Sequence, residues 1–126
     1  MKKSTTLNPH HAADVFELAW AHGMCGVDET YELVYDLLLI ETAIKSPQST
    51  EDCYSVKLRS RKTAPAKLQR IAEGIRDLNR ALGKMDLAKL VETYGQVVKA
   101  LNSFKISARD RAAIEKAEEK YAKKYF

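Results

Sequence analysis

Apolar residues recur every three or four positions through most of this chain, a spacing that predicts helices. Asn8-Pro9 opens the first: Asn is a good N-cap and Pro is tolerated at the first helical position. Ala12, Val15, Phe16, Ala19 and Trp20 then share a face, and Gly23 is a natural terminator. Asp28 can cap a second helix, with Glu29 favourably placed in its first turn. Tyr31, Val34, Leu37, Leu38, Glu41 and Ile44 mark its repeat, with Glu41 the polar exception. The run Leu37-Leu38-Leu39-Ile40 widens the apolar face and predicts a central helix, which Ser46-Pro47 ends.

Residues 46–63 carry the weakest pattern and predict a long loop, in which Thr50-Glu51-Asp52-Cys53 can start a short helix running into Lys57–Lys62. Thr63 can cap a third helix with Pro65 in its first turn. Its apolar positions Leu68, Ile71, Ile75, Leu78 and Leu82 fall inside one arc of roughly 80°. Gly83 closes it and Asp86 caps a fourth helix, whose repeat is Leu87, Leu90, Val91, Tyr94, Val97, Val98 and Leu101. Gly95 costs that helix about 1 kcal/mol relative to Ala and so suggests close approach of a neighbouring helix. Ser107 with Asp110 resembles a capping box for a fifth helix, Ala108 to about Tyr125, with Ile114, Ala117, Tyr121 and Tyr125 inward. No alternating strand pattern competes. The expectation is an all-α, single-domain bundle of four to five helices over residues 1–126, with 1–7 a flexible N-terminus.

Composition agrees: 126 residues, 45% hydrophobic and 30% charged, suit one globular domain rather than two. Five glycines and three prolines exclude collagen-like and low-complexity chains. No apolar run approaches the roughly 20 residues of a membrane span, and Met1-Lys2-Lys3 runs into Ser4-Thr5-Thr6 rather than a signal-peptide core. A cytoplasmic protein that does not contact membranes, with reduced cysteines, is the corresponding expectation.

Charge changes the picture more. The net +4 conceals an asymmetry: residues 1–56 hold three bases against nine acids, net −6, and residues 57–126 hold eighteen against eight, net +10. Between Lys57 and Lys84 stand nine bases, Lys57, Arg59, Arg61, Lys62, Lys67, Arg70, Arg76, Arg80 and Lys84, against Glu73 and Asp77. Arg76, Arg80 and Lys84, four apart, form a stripe opposite the apolar arc, while Lys57–Lys62 leads into the start of the same helix. Guanidinium forks and ammonium groups so arranged suit phosphate oxygens, the chemistry of sequence-independent nucleic-acid binding. Glu73 and Asp77 lie within the basic arc and can pair with Arg70, Arg76 or Arg80 at helical spacing. The turn Gly83-Lys84-Met85-Asp86 joins helices too long for a helix-turn-helix unit, so an antiparallel hairpin is expected.

Other chemistries find less support. His10, His11, His22, Cys25 and Cys53 offer ligand-like spacing only at His22–Cys25, without the second close pair of a zinc site. No phosphate-binding glycine loop occurs, and no Glu-x-x-His pair suits a di-iron bundle. Glu29, Glu32 and Asp36 lack a facing acidic pair for Mg²⁺ and suit a solvated acidic face. The sequence therefore points to a small non-enzymatic binding module without metal or cofactor, whose basic part contacts an acidic partner, above all a nucleic-acid backbone. The alternative is a protein–protein adaptor or self-assembling helical subunit, in which halves of opposite charge meet between chains.

Overall fold

The computed structural model describes residues 6–45 and 58–126, and these form an all-α bundle of five helices. They are α1 (Pro9–Ala21), α2 (Glu29–Lys45), α3 (Ala66–Gly83), α4 (Leu87–Asn102) and α5 (Ala108–Tyr125). The described residues contain no strand, and none of their helices is long and apolar enough to cross a membrane. α1 packs against α2, α4 and α5, whereas α4 packs against α3, α1 and α2. The centre is therefore α1 and α4, not α2. One apolar core runs through all five helices, from Phe16 and Leu37 through Ile75, Leu78 and Leu101 to Ile114.

α1 begins as its sequence demands: Asn8 caps it, accepting from the His11 N–H at 3.3 Å, with Pro9 in the first turn. It ends in a Schellman motif, Gly23 N–H on the Trp20 carbonyl and Met24 N–H on the Ala19 carbonyl. Gly23 supplies the left-handed residue, φ +77°, and Met24 is fully buried. The chain before α1 is already held, since Leu7 is buried and the Thr6 carbonyl accepts from Asn102 Nδ2 at 2.8 Å. The last two residues of the stretch expected to be flexible thus belong to the fold.

α2 is rotated relative to its expected face. Thr30, Leu33, Val34, Leu37, Ile40 and Ala43 are buried, while Tyr31 and Leu38 face outward. Four apolar residues in a row, Leu37 to Ile40, cannot phase a helix, and the packing against α1 and α4 decides it. Glu41 is inward, accepting from the Tyr94 hydroxyl at 3.0 Å and pairing with Lys45 at 3.1 Å. Burial and the adjacent Glu41 carboxylate raise the Tyr94 phenol far above its usual range.

The proposed short helix at 50–62 lies largely outside the described residues, and its last part, 58–62, is not helical. Leu58 enters the core and the Arg59 N–H donates to the Met24 carbonyl at 2.9 Å, strapping this segment over the α1–α2 turn. Thr63 does not cap α3. Pro65 stands at the N-cap with no side-chain hydrogen bond, and its carbonyl accepts from Leu68 and Gln69.

α3 and α4 form the expected antiparallel hairpin. The turn departs from expectation in one residue: Gly83 remains helical, and Met85 takes the left-handed position at φ +54°. Asp86 caps α4, accepting from the Lys89 N–H at 3.1 Å. Leu87 and Val91, placed on the apolar repeat of α4, are about half exposed. The predicted close approach at Gly95 is absent, because a Cβ there would meet nothing within 4 Å. It occurs at Gly74, where a Cβ would stand 3.0 Å from Val97 Cγ2. The Ser107–Asp110 capping box is fully formed, at 3.1 and 3.0 Å. α5 then packs chiefly on α1, burying only Ile114 among its own residues. Tyr125, expected on its inner face, is exposed.

Candidate polyanion-binding face

Eight of the nine basic candidates lie among the described residues, and all eight are exposed; Lys57 falls outside. Arg59, Arg61 and Lys62 belong to the strap that leads into α3, an 18-residue helix about 27 Å long. Along it, Arg76, Arg80 and Lys84 stand opposite the buried stripe, spanning about 12 Å. Lys67 and Arg70 sit at the edge of that stripe, bordering a cleft of about 230 Å³ formed with Ala100, Ser103 and Phe104 of the α4 end. Arg80 and Lys84 border a second cleft, about 380 Å³, at the hairpin turn.

This second cleft also holds Lys89, a base outside the nine that the sequence singled out. Its signal was available: Lys89 is the third residue after the Asp86 cap and faces back toward the turn. Asp77 and Asp86 border the same cleft, so its charge is mixed. The bases therefore form a face along α3 and its approach, not one pocket.

Their side chains are little engaged. Arg80 meets Asp77 at 3.9 Å, with both groups more than half exposed, a pair worth little in water. Among the described residues no carboxylate lies within 4 Å of the other seven, so the expected pairing of Glu73 with neighbouring arginines is not formed. Arg61 alone has a structural post. Its Nε donates to the Gly23 carbonyl at 3.2 Å, where the α1 C-terminus favours positive charge. A Cβ on Gly23 would lie 2.8 Å from the Arg61 guanidinium.

The two halves of opposite charge are not joined by salt bridges among the described residues, since both ion pairs lie within single helices. The acidic side of α1 faces acidic residues of α5 instead. Glu17 approaches Glu118, and its carboxyl is raised above the usual carboxylate range by partial burial, then by Glu118 and Asp14. In α2, burial and Glu32 raise Asp36 likewise.

The metal candidates are not gathered: among the described residues no three His, Cys, Asp or Glu side chains could hold an ion. His11 Nε2 is 2.6 Å from the Phe104 carbonyl. Cys25 is buried beside the Phe16 carbonyl, and burial with the nearby Glu29 pushes its thiol up to about 12, against a small opposing effect of Arg59. Cys53 lies outside the described residues. Glu29 turns back to accept from the Gly26 N–H at 2.6 Å, so it serves the start of α2. No protein-family model, characterised protein or solved structure matches this chain.

Proposed function

We propose that the protein is a small non-enzymatic helical binding module that contacts a polyanion, a nucleic-acid backbone, through the α3 face and the strap before it. The carrying observation is the set of eight exposed bases, seven with no carboxylate within 4 Å among the described residues. Unpaired surface bases spread over about 27 Å suit a row of phosphates better than a small anion. The bases carry no interleaved aromatic platform, so the contacts would fall on phosphate and sugar without base readout. Fluorescence anisotropy against an RNA and DNA panel tests this. Binding should be clear at low salt, fall by orders of magnitude toward moderate salt, and weaken in the triple variant R59A/R61A/R70A. Absence of binding at low salt would end the reading.

The second reading, a protein–protein adaptor or self-assembling subunit, is favoured by exposed apolar side chains. Tyr35 and Leu38 face outward on α2, and Met85, Leu87 and Val91 do so at the hairpin turn. Light scattering across protein and salt concentration tests self-assembly, and a monomer throughout would remove it.

A further inference from the structure

A cavity of about 320 Å³ opens between α1, the start of α2 and α5. Three aromatic rings border it, one from each helix: Trp20, Tyr31 and Tyr121. Trp20 and Tyr121 meet edge to face, centroids 5.9 Å apart and planes at 80°, and so form two walls at nearly a right angle. Two carboxylates, Glu17 and Glu118, border it too, beside Val27 and Thr30, and stand close enough for Glu118 to raise the Glu17 carboxyl. Among the described residues no lysine or arginine borders the cavity. Arg111 borders the next cleft along the seam, which Glu17 and Glu118 share with Asp14 and Glu115.

Folding alone gives little reason for this arrangement. Like charges drawn together and partly desolvated oppose folding, and Tyr31 leaves 73% of its surface in water. A bound cation answers both: the carboxylates supply opposite charge and the rings supply the negative faces of their π systems. The walls also select among cations. Hard metal ions take shells of six or more oxygens, which aromatic rings cannot provide. A primary ammonium needs acceptors for three N–H groups, and the aromatic rings offer none, which leaves the two carboxylates and the Thr30 hydroxyl, itself donating to the Val27 carbonyl at 2.8 Å, to one side of the cavity's aromatic surface. An alkylated ammonium carries its charge behind methyl groups and needs only apolar faces with anions nearby.

We infer that the cavity formed by Trp20, Tyr31, Tyr121, Glu17 and Glu118 binds an alkylated ammonium group, carried either by a free choline-like molecule or by a methylated lysine side chain. This site is separate from the basic face and does not depend on the polyanion reading. Trp20 is the only tryptophan, so its fluorescence reports directly on the site. The protein is titrated with choline, with its neutral isostere 3,3-dimethylbutan-1-ol, and with a peptide carrying trimethyl-lysine or plain lysine. Choline should give a saturable change, and the neutral isostere should bind at least about tenfold more weakly, the scale of a desolvated cation–π contact. E118Q and Y31A, both at exposed positions, should each weaken choline binding several-fold with the helical circular-dichroism signal unchanged. A trimethyl-lysine peptide that binds tighter than choline assigns the modified side chain; one that binds no tighter assigns the free molecule. No saturable Trp20 response in the millimolar range, equal binding of the neutral isostere, or wild-type affinity in both variants would overturn the assignment.

Discussion

The α3–α4 hairpin and the α1–α5 seam are built on opposite principles. In the hairpin each helix turns a continuous apolar stripe to its partner and its charges to water. Leu68, Ile71, Ile75 and Leu78 meet Leu90, Val97, Val98 and Leu101, all buried. Along the seam α5 buries a single residue, Ile114, and brings Glu115 and Glu118 toward Asp14 and Glu17. The hairpin is a folding unit with a free outer face. The seam keeps charge and aromatic surface together at a stability cost, the pattern expected where a surface serves recognition.

The largest effect should separate the two regions by truncation. Leu78→Ala removes a fully buried side chain from the hairpin and should cost about 2–5 kcal/mol by chemical denaturation. Ile114→Ala should cost less and act locally, loosening α5 and shifting Trp20 fluorescence while α3 and α4 amides keep their hydrogen-exchange protection. Equal global losses would erase the distinction.

Backbone changes probe the hairpin more finely. Met85→Gly should stabilise by about 1 kcal/mol, because a left-handed φ costs a residue with a Cβ that much. Gly95→Ala, with open space at its Cβ, should gain about 0.5–1 kcal/mol. Gly74→Ala should fail to deliver that gain, since Val97 must yield. A thermal-unfolding series on the three variants checks the order.

The smallest effect is the most specific to the seam. Glu17 has a raised folded-state pKa, so its ionised form opposes docking of α5 at neutral pH. As pH falls through that value the penalty lifts, and it is gone below the ordinary value of 4.5. Burial, then Glu118 and Asp14, set its size, and Glu115 and Arg111 border the same cleft. Hydrogen exchange of α5 amides, corrected for intrinsic rate, should therefore slow as pH falls from neutral toward 4.5, and E17Q should flatten that dependence.

The contrast also explains what the sequence made legible. The third and fourth helices each face solvent on one side, so the hairpin and the Asp86 cap can be read directly, although the Thr63 cap expected for α3 does not form. α1 is packed on several sides, burying Leu18 as well as Phe16, and α2 carries a four-residue apolar run. Periodicity still places Ala12, Val15, Phe16 and Ala19 of α1 inside, but it cannot phase α2, which is why Tyr31 and Leu38 were expected inside. The basic face was visible as charge density, apart from Lys89. The aromatic cavity was not, because its parts lie at residues 17–31 and 118–121, and only the docking of α5 on α1 unites them.

An amide NMR titration with a short single-stranded RNA at low salt locates the polyanion contact residue by residue. Shifts confined to residues 59–62, along α3 and at Lys89, with α5 and the seam unmoved and the effect reversed by salt, are the predicted result. Shifts centred on the Lys116–Lys124 end of α5, or none at all, would contradict it.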